Sequence, residues 1–202
     1  MSFIIKDGTG KGYLAKVGSN NRLATDSITE TIQEKAITEG DGYNVATSRI
    51  TLTTTNESAL FYIENLEDQD LILTSVFLNT VNGAGTLTGG QPVLKIYRNP
   101  SSGTIISNAK PILTESNSNF GSNKSLDARL YEGVEGDNLT GQDAIIDVPL
   151  PSRAAVTFIE FQTRVILPKG SMYGISYQPE AGSTSVDVIT GLTLIKLPAT
   201  FA

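Results

Sequence analysis

Gly8, Gly10 and Gly12 stand at alternate positions around Lys11 in the segment DGTGKGYLAKVGSNNRL, residues 7–23, and glycines beside a lysine are the raw material of a phosphate-binding loop. The chemistry needs more than composition. A triphosphate cradle places a glycine five residues upstream of the glycine of a Gly-Lys pair and a Ser or Thr directly after the lysine, so that backbone N–H groups wrap the phosphates and the hydroxyl reaches magnesium. Around Gly10-Lys11 those positions are Ile5 and Gly12. A dinucleotide-binding turn fails on its third glycine, which would fall at Tyr13. It fails also on the helix that must follow, which would meet Gly18-Ser19-Asn20-Asn21 within two turns. The segment reads instead as an extended, glycine-punctuated arm.

The chain of 202 residues holds neither Cys nor His. That removes disulfides, thiolate and imidazole metal ligands, Cys nucleophiles and every Ser-His-Asp arrangement. Oxygen ligands remain. The clusters Glu64/Glu67/Asp68/Asp70 and Glu132/Glu135/Asp137, with Asp41, carry carboxylates of the kind calcium accepts. None has the spacing of a calcium loop, and they read as solvated turns. Paired carboxylates for glycoside hydrolysis need a spatial separation that spacing along a chain does not supply. Sugar binding favours exposed aromatic platforms. Trp is missing, Tyr62, Tyr97, Tyr173 and Tyr177 fall in strand-like segments, and Tyr13, Tyr43, Tyr131 and Phe120 remain as loop aromatics. Each of these reads first as an anchor for its own loop or for a subunit contact. No catalytic residue, cofactor or metal ligand is assigned.

A net charge of −6 argues against nucleic acid as a partner, because binding a phosphate backbone is driven by Lys and Arg displacing counterions. The first residues, MSFIIKDG, offer three apolar positions before charge and glycine, and no later apolar run reaches membrane-spanning length. A soluble protein made in a cytoplasm is expected. Charged residues are 18% of the chain, and the polar remainder is dominated by Thr, Ser, Asn and Gly, which with Val and Ile favour strands and turns.

From residue 50 onward short β segments alternate with turn clusters. Segments 50–54 and 59–64 come first, and 71–79 returns after the turn NLEDQD to form an expected hairpin with 59–64. Val93–Arg98 turns Leu94 and Ile96 inward and Lys95 outward, and Thr104–Ser107 follows as a further β segment. Residues 114–143 read as long exposed loops around a weak LDARLY element. Val156–Leu167 alternates Ile159, Phe161, Val165 and Leu167 with Glu160, Gln162 and Arg164, so one face is core and the other solvent or partner. A strand through Tyr173, Ile175 and Tyr177 and a last strand Val186–Lys196, with a bulge expected at Gly191, complete about eight strands. That number suits an all-β jelly-roll sandwich. Residues 1–48 do not share the rhythm and are expected to form an N-terminal arm or linker, with 49–202 the jelly-roll domain. Within the arm, Ser27 and Glu30 form a potential capping box for a helix through Ala36, while SITETI alternates as a strand does, and both readings stand.

The opening segment together with SITETIQEKAITEGDGYN resembles the N-terminal part of a group of tailed-bacteriophage virion proteins, in which a G-x-G…A-x-V…N-R-L arm precedes a β-sandwich. ESALFYIENLEDQDLILTSVFLN and VILPKGSMYGISYQP are similar to the strands and L-P-x-G turn of such phage jelly rolls. The resemblance implies a non-enzymatic head decoration or cement protein of the virion, often homotrimeric, whose partners are the major capsid protein or other virion subunits. Related sandwiches serve in tail, neck or fibre, where a receptor or carbohydrate would be the ligand. Matched residue by residue, it implies arm contacts at Gly10, Ala15, Val17, Asn21, Arg22 and Leu23. Tyr13 and Leu14 join them as apolar residues among glycines that cannot make a core of their own but can order on a partner. Residues 114–143 have no place in the pattern.

Titration calorimetry with ATP or GTP is expected to show no saturable binding. Saturable binding that disappears in Lys11→Ala would make the opening segment a phosphate site after all.

Overall fold

The computed structural model describes residues 31–82, 86, 88–107, 113–151 and 156–197. The chain divides into two units, Met1–Thr31 and Ile32–Ala202, and the second holds a β-sandwich. Its elements in chain order are α1 (Ile32–Glu39), β1 (Gly42–Ala46), β2 (Ile50–Leu52), β3 (Ser58–Asn65), β4 (Leu71–Asn82), β5 (Val93–Arg98), α2 (Thr104–Ser107), β6 (Ser116–Asn117), β7 (Ala128–Glu132), β8 (Ala144–Pro149), β9 (Val156–Leu167), β10 (Met172–Gln178) and β11 (Val186–Lys196).

Four nested antiparallel pairings define the architecture. β1 and β2 lie end to end along β11, β3 pairs with β10, β4 with β9, and β5 with β8. The chain is thus one long antiparallel ribbon, doubled back on itself between β5 and β8 and rolled into two sheets. The roll closes through β11 against β4 in one sheet and β10 against β5 in the other. The resulting orders are β6-β1-β11-β4-β9, with β2 also on β11, and β7-β3-β10-β5-β8. This is the jelly roll, an all-β sandwich of eight principal strands if β1 and β2 count as one.

Alternation explains which side chains fill it. Leu94 and Ile96 are buried while Lys95 between them turns outward; Tyr173, Ile175 and Tyr177 of β10 and Val188, Leu192 and Leu194 of β11 enter the same core from the two sheets. Along β3 almost every side chain is buried, because its outer face is covered as well. The cover is the segment between β5 and β8. Ile105 of α2 and Leu139 pack over Ala59, Tyr62 and Tyr97, and Tyr131 of β7 stacks on Tyr62 at 5.8 Å between ring centroids. Residues 114–143, expected as exposed loops, are therefore a built layer. β6 extends the first sheet beyond β1, and β7 extends the second beyond β3.

Other expectations change for identifiable reasons. The sandwich unit begins at Ile32 rather than at 49: Tyr43 and Val45 alternate into the core from β1, and α1 lays Ala36 on Ile72 and Ile195 on the outer face of the first sheet. Of the segment left open between helix and strand, residues 32–39 are helical. The helix stops at Gly40, which takes φ +81°, while Asp41 N–H donates to the Ala36 carbonyl and Gly40 N–H to that of Ile37, a Schellman closure. Segments 59–64 and 71–79 do not form a hairpin; the turn between them carries the chain from one sheet to the other. Thr104–Ser107 is a helical turn, its first N–H capped by Asn138 at 2.9 Å.

Gly191 is not a bulge. It lies in register between Ala46 and Phe77, and the irregularity of this ladder is at Thr74 of β4, whose hydroxyl donates to the Thr193 carbonyl at 3.0 Å. The ladder between β4 and β9 shifts register at the same point, between Leu73 and Ser75. What Gly191 supplies is clearance: a Cβ there would meet the Val45 carbonyl oxygen at 2.3 Å and the Phe77 ring at 2.6 Å. Gly191→Val should therefore lower stability by at least about 1–3 kcal/mol, the range for overpacked cores. Urea denaturation with an unchanged slope and a lower midpoint would show this, and an unchanged midpoint would refute it.

Candidate functional site: the polar cleft and the open side

The positions proposed as arm contacts, Gly10, Tyr13, Leu14, Ala15, Val17, Asn21, Arg22 and Leu23, lie outside the described residues, so the candidate surfaces come from the sandwich itself. Its acidic residues are occupied to an extent that spacing along the chain does not reveal. Glu135 of the covering segment accepts the backbone N–H groups of Thr53 and Thr54 at 2.5 and 2.7 Å. Glu132 accepts both the backbone N–H and the hydroxyl of Ser48. Asp137 takes the Val134 N–H and the Thr104 hydroxyl. Glu64 pairs with Arg129, Asp68 with Lys169, Glu67 with Lys196, and Asp41 with Lys124. These are fasteners between segments. Among the described residues no three carboxylates gather where one metal ion would sit.

Burial also reassigns the aromatics. Tyr43 is a core residue whose hydroxyl donates to the Ser125 carbonyl, with the Lys196 ammonium 5.3 Å from its ring centre. Tyr131 belongs to β7 and stacks on Tyr62, which leaves Phe120, fully exposed, as the described loop aromatic open to a partner. Its loop is held by Asn117, which donates to the Gly40 carbonyl, and by Asn119, which donates to that of Thr38.

Two surface features stand out. The first is a polar cleft of about 720 Å³ between the outer face of β5 and β8 and the loop 139–144, lined among others by Lys95, Tyr97, Thr140, Gln142, Asp143 and Asp147. Its inner wall is fixed by Glu57. One carboxylate oxygen accepts from the Tyr97 hydroxyl at 2.6 Å and from Ser176 Oγ at 2.5 Å, and the other from Lys95 Nζ at 2.6 Å. Burial pushes the Glu57 carboxyl up, but the hydrogen bonds from Lys95, Ser176 and Tyr97 and the lysine's charge outweigh it and hold the pKa below the usual value. Lys95 is raised, chiefly by its hydrogen bond to Glu57, so both partners favour the ion pair. Burial first, then the Glu57 contact, pushes the Tyr97 hydroxyl up to about 12. None of these residues stood out by spacing, apart from Lys95 and Tyr97 sharing one face of β5.

The second feature is the side of the sandwich where β8 and β9 end their sheets. At the opposite side the two sheets end on the short strands β6 and β7. Here a groove of about 370 Å³ runs between the two edges, lined by Ile145, Val165, Ile166, Met172 and Tyr173 with Arg98 beside them. Ile145 and Ile166 are 55% and 51% exposed, and Phe158, further along β9 and tilted against Phe77, is 69% exposed. The Tyr173 hydroxyl is buried without a hydrogen-bond partner.

These surfaces belong to a jelly-roll protein whose exposed apolar side chains gather on the edge strands β8 and β9. Compared with known protein families and with curated proteins, the sequence matches none. No helix among the described residues is long and apolar enough to cross a membrane.

The Glu57 network carries a pH signature. A carboxyl whose folded pKa is depressed stabilises the fold fully above its unfolded value, about 4.3 for Glu. That contribution is lost as pH falls through the lower folded value. Glu57→Gln should cost about 1.5–3 kcal/mol at neutral pH, the range for hydrogen bonds to a charged group. The gap to the parent should close on acidification below about pH 4. Urea titrations of both proteins across that range test it; a pH-independent gap would deny the ionised network its role.

Proposed function

We propose that this chain is a non-enzymatic structural protein of a tailed-bacteriophage virion, most simply a head decoration or cement protein that binds the assembled capsid and stabilises it. The observation that carries the reading is the asymmetry of the jelly roll. Part of one outer face is covered by the chain's own segment between β5 and β8, while the β8/β9 side presents exposed apolar side chains along two sheet edges. A lone soluble domain gains nothing from that exposure; a subunit of an assembly does. The residues agree with this, since the acidic side chains are spent on fastening segments and the chain lacks His and Cys for nucleophilic work. The virion resemblance of residues 7–44 adds the arm as a second attachment, made by Tyr13, Leu14, Val17 and Leu23 ordering on a neighbouring subunit.

In this reading several arms of a homotrimer engage several capsid subunits at once, so affinity for the shell far exceeds affinity for the free capsid subunit through effective concentration. A three-fold partner matches the three-fold positions of an icosahedral shell. A second reading, a tail, neck or fibre module that binds a glycan, is favoured by one feature. The polar cleft sets Thr140, Gln142, Asp143 and Asp147 around an open space of sugar-ring size or larger.

Titrating purified shells that lack this protein should give saturable, shell-stabilising occupancy that survives moderate salt, because the arm contacts are mainly apolar and backbone. Removing residues 1–30 should abolish occupancy while cooperative unfolding of the sandwich persists. Absence of shell binding, together with location of the chain at the tail tip, would transfer the assignment to the second reading.

A further inference from the structure

We propose that the β8/β9 side is the surface through which copies of this chain bind one another, so that the open edges of one sandwich are covered by those of the next. The inference names the self-contact within the decoration reading and rests on it for its setting. Of the seven large apolar side chains with substantial exposure among the described residues, four lie on these two strands: Ile145, Ile146, Phe158 and Ile166. Chance scatter would not gather them on adjacent edges. Ile145 and Ile166 line the groove beside Arg98, so the surface has both apolar relief and a hollow to receive it.

The case for a second copy, rather than another partner, lies in the charges. Arg98 at the groove and Glu160 on the exposed face of β9 each lack an ion-pair partner among the described residues. A copy of the same surface offers the opposite charge to each, with apolar side chains between, and a contact between like surfaces satisfies both charges reciprocally. The size is adequate. β9, of twelve residues, spans about 40 Å and β8, of six, about 20 Å. With about 10 Å of depth for each sheet, the side presents about 600 Å², the lower end of what one partner contributes to a stable interface.

β9 also limits what kind of association follows. The β4–β9 ladder shifts register between Leu73 and Ser75, so this edge departs from a flat ladder. A bulged edge is a poor template for indefinite strand addition. Association is therefore through side chains and ends in a closed oligomer, not a fibre.

Sedimentation of the full chain over a concentration series tests this. The parent protein should form a discrete oligomer, and Phe158→Lys/Ile166→Lys should weaken it by about 30-fold or more, as for central interface residues. Ile145→Lys, on the other sheet, should weaken it separately, and Val81→Lys/Val134→Lys, exposed elsewhere, should not. All replaced side chains are outward, and a parental thermal transition in each variant confirms that the fold is intact. A parent that stays monomeric, or an oligomer untouched by the Phe158, Ile166 and Ile145 variants, would overturn the inference. So would a monomer whose β9 amides lose protection when residues 1–30 are removed, since that assigns the surface to the chain's own N-terminal segment. Monomers that still decorate shells would leave the proposed function standing without this contact. Oligomers formed through this side that never bind shells would do the reverse.

Discussion

The ladder between β4 and β11 is the interaction on which the rest of the sandwich depends. It joins the last strand of the chain to a strand of its first half, and every residue of β11 has a partner in β4. Through it the ribbon becomes a roll: β11 brings β1 and β2 with it, and β4 brings β9. Its inward residues, Leu73, Val76 and Leu78 against Leu192 and Leu194, are at the centre of the core. Such a pairing spans more than a hundred residues of intervening chain, and the entropy of closing that loop must be met before the contact rewards it. The fit along it is correspondingly tight. Gly191 leaves room for the Phe77 ring, and the single extra residue, Thr74, satisfies its hydroxyl on the neighbouring strand.

A chain without cysteine must fasten its loops by other means, and here acidic side chains do so by accepting backbone N–H groups. Glu132, Glu135 and Glu67 each reach across to a segment distant in sequence and satisfy donors that no strand partner covers. Buried or half-buried N–H groups are costly to leave unpaired, and a carboxylate is the strongest acceptor available for them. The same residues would have suggested calcium loops to anyone reading composition alone. Their scarcity of free oxygen is a consequence of tertiary structure.

The sequence carried the strands whose alternation is regular and whose turns are marked. β5, β10 and β11 were legible because Leu94/Ile96, Tyr173/Ile175/Tyr177 and the apolar residues of β11 repeat at every second position. β1 hid within a stretch that reads as a turn, since Gly40, Asp41 and Gly42 precede Tyr43, although the pair Tyr43/Val45 has the right period. β8 hid because Ile145 and Ile146 are adjacent rather than alternating, as suits an irregular edge strand, and because prolines follow. Thr104–Ser107 is β-branched and reads as a strand, yet Asn138 caps it into a helical turn, a tertiary contact overriding propensity. The cleft was invisible for a related reason: Glu57, Lys95, Tyr97 and Ser176 come from separate parts of the ribbon and meet only once it is rolled. The arm residues were read from spacing and resemblance, and they lie outside the described residues.

The covering segment has a kinetic meaning apart from the area it buries. A rolled ribbon has a natural place to start coming apart, the bend between β5 and β8, from which strand pairs can peel one after another. In this chain the bend is where the covering segment is inserted, and its β6 and β7 are held against β1 and β3, at the far end of the roll. Peeling from the bend therefore pulls against two ladders and several carboxylate fasteners that lie elsewhere. Interactions of that kind, closing late and opening first, slow unfolding more than they speed folding. Persistence of such a fold is then set by slow escape from the native state more than by depth of the equilibrium well.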